Sequence, residues 1–192
     1  MIEIIHKLTE DMRGKVRLMV GRAILAAISD AGAIQTAQAQ LLADETHDDM
    51  ERIQEYGFTS VPLPGAEGVA VFVGGNRDHG LIIATDDRRC RKKDLQGGEV
   101  ALYTDEGDCI VLNRGRVVRI VAGAQVEVTA PVVTLKAATK VRMETPLLEV
   151  TGDIKDKCDT TGKTMAGMRT TYNTHTHPGD SGGTTGTPNQ GM

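Results

Sequence analysis

The chain has 192 residues, enough for one or two small domains, and a formal net charge of −4, so no global basic field draws it to nucleic acid. No apolar run approaches the ~20 residues that span a bilayer. The start, Met1-Ile2-Glu3-Ile4-Ile5-His6-Lys7, lacks a charged-then-apolar signal pattern, which predicts a soluble protein made in the cytoplasm.

Three widely spaced cysteines, Cys90, Cys109 and Cys158, read as free thiols in a reducing compartment. The aromatic residues are few: Tyr56, Phe58, Phe72, Tyr103 and Tyr172, with no Trp. A core must then come from Val, Ile, Leu, Ala and Met. Abundant Gly and Thr fit repetitive β structure better than a compact enzyme core.

Residues 1–15 read as a short N-terminal arm, with Leu8 and Met12 free to pack on a neighbour; the segment is too short to stand alone. Arg17 to Ile28 fits strand or helix equally. Asp30-Ala31-Gly32 signals a turn. Ile34 to Leu41 alternates polar and apolar residues, as a half-buried strand does. An acidic loop, Asp44 to Asp49, precedes Met50 to Phe58, and Pro62 and Pro64 punctuate the next turn. Glu67 to Val73 is a strand, Gly74 to Asp78 a hairpin turn, and Leu81 to Ala84 the returning strand. Several short strands over residues 16–94 predict a small barrel of the OB type. The basic run Arg88 to Lys93 is short, is flanked by Asp86, Asp87 and Asp94, and has no aromatic beside it. It reads as a solvated or subunit-facing linker, because phosphate tracking needs a wider basic surface.

The texture changes after Asp94. Short strands at Glu99–Tyr103, Cys109–Leu112 and Val117–Ile120 are separated by turns at Asp105–Asp108 and Asn113–Gly115. From Val126 the alternation is sustained. Val126 and Val128 share a face, then Val133, Leu135 and Ala137, then Val141 and Met143, then Leu148, Val150, Gly152 and Ile154, with Thr, Lys, Arg, Glu and Asp opposite. Pro131–Leu135 and Pro146–Val150 look alike, fifteen residues apart, a weak internal repeat. No helical candidate follows to cover the apolar face. Self-association covers it economically: three chains about one axis put every apolar face inside. This reading makes residues 95–157 a segment that winds with two other copies about one axis.

Residues 158–192 hold the most informative residues of the chain, His175 and His177, in Tyr172-Asn173-Thr174-His175-Thr176-His177-Pro178. On a strand, positions two apart point the same way. Two imidazoles on one face are half a metal site, and no histidine follows. One reading is two surface histidines on a polar tail. A hydrolase site needs further ligands in sequence; Pro178 and Gly179 stand where a metallo-β-lactamase pattern wants Asp and His. The third reading is a site on a three-fold axis, where three copies supply six nitrogens. Six imidazoles suit an octahedral ion such as iron or nickel better than four-coordinate zinc. Such a site has no open position, so its role is to lock chains together. The other candidates are weaker. Gly74-Gly75-Asn76 is a turn rather than a phosphate loop; His6, His47 and His79 are isolated; Ser60 and Ser181 lack a His/Asp context; Asp180 suits calcium only where three copies converge.

His79 to Arg89, Gly98 to Tyr103 and Tyr172 to Pro178 together resemble the Mu-like phage baseplate assembly proteins, the central spikes of contractile tails and of tailocins. The resemblance covers nearly the whole chain. It implies an N-terminal OB-fold domain, a trimeric, triple-stranded β-helical shaft over residues 95–157, a pointed metal-binding apex over residues 158–192, and no enzymatic activity. In related spikes an HxH pair from each chain binds one iron ion on the axis, a role that falls here on His175 and His177. Calcium or chloride on the axis is also known in the family, and no residue here marks such a site. The implied partners are two further copies, baseplate hub and tail tube proteins, and the host outer membrane; the implied location is the virion tail baseplate, after assembly in the host cytoplasm. The alternative is a stand-alone oligomeric metal-binding protein or small metalloenzyme.

Overall fold

The computed structural model describes residues 19–42 and 45–192, with His6, Thr9, Glu10 and Val16 ahead of them. Apart from His6, Thr9 and Glu10, the expected arm at 1–15 lies outside the described residues. The chain divides into two compact units, up to Val128 and from Thr129.

In the first unit five strands close into a barrel: β1 (Val20–Ser29), β2 (Thr36–Leu42), β3 (Glu45–Arg52), β4 (Glu67–Phe72) and β5 (Gly80–Asp86), in the order β1-β2-β3-β5-β4. Antiparallel pairing of β1 with β4 closes the ring, and β3 runs parallel to β5. The segment that fitted strand or helix is therefore strand. Its inward residues, Ala23 and Leu25, meet Ala37, Ala39, Met50, Ala70, Phe72 and Ile82 in one core. Half of that core is alanine, which suits the narrow interior of a five-stranded barrel. On β4 every second residue is buried: Gly68, Ala70 and Phe72. At Gly80 a Cβ would lie 2.4 Å from Met50 Cε and 2.7 Å from Phe72 Cε1, so the strand begins there without a side chain. The β4–β5 connection turns tightly through Gly74 and Gly75, whose φ angles of 64° and 73° are left-handed.

The expected acidic loop at 44–49 is corrected: Glu45 to Asp49 belong to β3. Asp49 (φ 53°) sits in a bulge, where Asp48 and Asp49 face the single residue Gln38 between the pairs Ala39–His47 and Ala37–Met50. The bulge breaks the alternation, and the inward positions on either side of Met50 are His47 and Arg52. Glu45 accepts from Arg77 Nε at 2.9 Å and lies 2.9 Å from His47 Nε2. The Arg77 guanidinium stacks over the Phe72 ring, 4.1 Å from its centroid. These contacts hold the Glu45 carboxyl down at about 2.

A three-stranded antiparallel sheet follows: β6 (Val100–Tyr103), β7 (Cys109–Asn113) and β8 (Val117–Val121). Residues 122–154 form no strand within one chain.

In the second unit one helix stands, α1 (Met165–Thr174). This corrects the expectation of no helix downstream. Thr164 caps it, its Oγ1 accepting from Gly167 N at 3.0 Å. Thr170, Thr171 and Thr174 donate their hydroxyls back to the carbonyls of Ala166, Gly167 and Thr170. Threonines, glycine and asparagine are poor helix formers, and hydroxyls bonded back to i−4 carbonyls slightly weaken a helix, so α1 depends on how its ends are held. The start of α1 is tied to the preceding chain: Met165 N donates to Ile154 O at 2.9 Å, and Asp153 Oδ1 accepts from Ala166 N at 3.3 Å.

Candidate functional site

Two features of the chain stand out: an uncovered apolar face in the first unit and a histidine pair in the second. In β6–β8 the register sets Val100 beside Leu112, Leu102 beside Ile110, Ile110 beside Ile120 and Leu112 beside Val118. Directly paired residues share a face, so these six apolar side chains form one surface. All six are exposed, by 41% to 61%. The opposite face carries the buried Cys109 and Val111. Further along the sequence, Val126, Val128, Val133, Leu135, Leu148 and Val150 are exposed as well. Water-exposed apolar residues in this number mark a surface that is covered by something else.

The histidine pair lies at the exit of α1, which corrects the expectation that it sits on a strand. His175 ends the helix in extended backbone (φ −72°, ψ 149°). The rings of His175 and His177 are neighbours, 4.9 Å between centroids and edge to face. The Tyr172 ring lies 5.4 Å from that of His175. His175 Nδ1 is 2.6 Å from the Tyr172 carbonyl oxygen. A carbonyl oxygen only accepts, so Nδ1 carries a proton, and in the neutral ring Nε2 is then the nitrogen with the lone pair. This is the arrangement of a liganding histidine whose other nitrogen is held by a carbonyl. His177 is fixed through its backbone: its N–H donates to Thr185 Oγ1 at 2.8 Å, and its carbonyl accepts from Thr185 N at 2.9 Å. Among the described residues no three His, Cys, Asp or Glu side chains gather in one chain. The pair fits a metal ion only with ligands from elsewhere.

Most of the other residues singled out by sequence have partners of their own. His47 is engaged with Glu45, and His6 lies 4.0 Å from Glu10. Ser181 Oγ donates to Asp180 Oδ1 at 3.3 Å, both exposed. In the basic run, Arg88 pairs with Glu67, and Arg89 binds Asp87 and the Pro64 carbonyl. Asp87 is held down at about 2 by the Arg89 hydrogen bonds.

Sequence reasoning missed one buried charge. Arg52 is 7% exposed; it donates to Gln35 Oε1 at 2.7 Å, Ser60 O at 2.8 Å, Ser60 Oγ at 3.0 Å and Thr85 Oγ1 at 2.8 Å. Burial lowers its pKa, and the charge of Asp30 raises it in part. Asp30 reaches Arg52 through Gln35, whose Nε2 donates to Asp30 Oδ1 at 2.8 Å. The signal was phase: Gln35 is in step with Ala37 and Ala39, and Arg52 with Met50. Beyond Arg52 the network fastens a segment on which Tyr56 and Phe58 are fully and largely exposed.

The sequence model of the family described as Bacteriophage Mu Gp45, N-terminal, matches residues 22–89. Over 195 residues the chain is 35% identical to the baseplate puncturing device gp45 of Escherichia phage Mu, covering 95% of this chain and 94% of that protein. The chain belongs to the Mu Gp45 family. The family match runs from β1 through β5 into the basic run, so the barrel is the part it describes. A second Gp45 relative, the Mu-like prophage FluMu protein gp45 of Haemophilus influenzae, is 37% identical over 106 residues, 55% of this chain and 58% of its own. The spike protein of Escherichia phage P2 is 29% identical over 153 residues, 66% of this chain and 71% of its own. A baseplate puncturing device and a spike protein among the relatives disfavour the stand-alone metal-binding protein or small metalloenzyme.

Proposed function

We propose that this protein is the central spike of a contractile phage tail, a structural part of the virion baseplate that pierces the host outer membrane when the sheath contracts. Similarity to the Mu puncturing device along 95% of the chain carries this reading. The five-stranded barrel, read as an OB-type domain, attaches the spike to baseplate hub and tail tube proteins. Three copies join through the apolar face of β6–β8 and wind residues 122–157 into a β-helical shaft. Support for this comes from the exposed alternation at Val133, Leu135, Leu148 and Val150 and from the lack of strands there within one chain. A lone strand presents its backbone N–H and C=O groups as a ready template for pairing with another chain. Three intertwined chains must separate together to unfold, and that gives the stiffness a puncturing tip requires.

At the apex, His175 and His177 of three copies would hold one iron ion on the axis. The ion supplies a closed set of coordinate bonds where the shaft narrows and apolar area is least. Two imidazoles per chain and a free Nε2 on His175 support this. The same axis suits calcium or chloride, without a marked site. The protein has no catalytic role in this reading.

Light scattering of the purified protein, with elemental analysis, tests both parts. Three chains per particle and about one iron per trimer are expected. A monodisperse monomer at micromolar concentration sinks the spike assembly; a trimer purified without chelator and free of metal sinks the apex site alone.

A further inference from the structure

Fifteen residues follow His177, and they fold back onto the pair. His177 to Thr185 make a small antiparallel loop. Besides the two bonds between His177 and Thr185, Gly179 N donates to Gly183 O at 2.7 Å, and Pro178 bridges Thr184. The end of the chain makes a second tie. Asn173 Oδ1 accepts from Met192 N at 2.8 Å, and its Nδ2 donates to Met192 O at 3.4 Å. One tie thus grips His177 itself, and the other grips the last turn of α1, two residues before His175. The segment between is rich in Gly, Thr and Pro and buries no apolar side chain, so it adds no core of its own.

An exposed imidazole rotates freely unless its backbone and ring are held. The His175 ring is held by the Tyr172 carbonyl. The His177 ring makes no hydrogen bond among the described residues, and its position depends on the backbone bonds to Thr185. We propose that residues 178–192 are a clasp in which Thr185 and Asn173 act as positioning residues, holding the two imidazoles at the separation one metal ion needs, with Nε2 as the liganding atom of His175. This rests on the metal reading given above. The clasp places the ligands before the metal arrives, so its loss speeds metal release without removing a ligand.

The test uses the full-length protein loaded with iron and a chelator in excess, with metal release followed by absorbance. Thr185→Val keeps the shape and removes the oxygen that accepts the His177 N–H; Thr185→Ser restores an oxygen. Release about tenfold faster or more in T185V, with T185S within about twofold of the parent, is the expected result. Release at the parent rate in T185V overturns the clasp and leaves the metal reading standing. A parent protein that takes up no iron overturns the metal reading, and the clasp with it. Should T185V fail to assemble by light scattering, Asn173→Ala, which frees only the Met192 tie, is read in the same way. Imidazole ¹⁵N shifts of the metal-free protein check the liganding atom: protonated Nδ1 and unprotonated Nε2 at His175 are expected, and the reverse tautomer overturns that assignment.

Discussion

Replacing Arg52 by Met removes a buried cation and nearly preserves its stem. Four hydrogen bonds are lost, to Gln35 Oε1, Ser60 O, Ser60 Oγ and Thr85 Oγ1. They are not equal in consequence. Ser60 is exposed, so water replaces the guanidinium at its two oxygens, and Ser60 O also keeps Gln35 Nε2 at 3.2 Å. Thr85 is half-buried. Gln35 is 5% exposed, and its Oε1 is left with no donor. A stranded buried acceptor costs about 1–3 kcal/mol, and hydrogen bonds from a charged donor contribute more than neutral ones. Against this, the desolvation that lowers the Arg52 pKa is relieved. The net loss is about 2–3 kcal/mol. Hydrogen exchange on the full chain reads it locally. The amide of Ile53, bonded to Ile82 O at 2.9 Å, should exchange about 30- to 140-fold faster, at about 1.4 kcal/mol per tenfold. Ser60 N, held by Gln54 Oε1 at 2.8 Å, should lose protection too, because the segment beyond Arg52 is no longer fastened. Arg52→Lys should fall between, since one ammonium cannot span all of the acceptors. Unchanged protection at both amides in R52M would refute the claim that this network pins the segment to the barrel.

Gly80→Ala should destabilise the barrel by about 1–3 kcal/mol, because the Met50 tip can yield to the new Cβ but the Phe72 ring cannot; a denaturation midpoint equal to the parent's would contradict that packing. Glu45, with its carboxyl at about 2 against an ordinary 4.5, stabilises the fold fully above its unfolded value. That contribution is lost as pH falls from about 4.5 through about 2, so Glu45→Gln should flatten the acid limb of the stability curve, and parallel curves would rule the Arg77–His47 contacts out as its cause. Leu148→Asp should abolish trimers by setting three carboxylates near one axis, while Glu149→Lys leaves them intact; equal mildness by light scattering would show the assigned inner face to be wrong.

Much of the barrel was legible in the sequence. Alternation in Ile34–Leu41, the small and β-branched residues of Glu67–Val73, the glycine turn at 74–75 and the returning Leu81–Ala84 each map onto an observed strand or turn. Alternation is local, and a sheet with one wet face imposes it directly. Reading failed where a polar residue points inward or a bulge shifts the phase. β3 holds both, with Arg52 inside and Asp49 bulged, and its acidic residues imitate a loop. The helix α1 was illegible for a related reason. Its residues are poor helix formers, and its start is held by the Thr164 cap and the tie to Ile154, neither of which shows as apolar periodicity.

At the apex the sequence by itself determined the chemistry: two imidazoles, two residues apart, too few for a metal ion within one chain. It also determined that the residues from Val126 to Ile154 have an apolar side. Tertiary structure decided the rest. It set the pair at a helix exit, chose the protonated nitrogen of His175 through the Tyr172 carbonyl, and brought Thr185 and Met192 back to His177 and Asn173. It also gathered six residues from three strands into one apolar face. Residue spacing along the chain carries chemistry and local phase. Which nitrogen is free depends on a carbonyl three residues back at the helix exit, and which surface stays uncovered depends on the register of neighbouring strands; both exist only once the chain has folded.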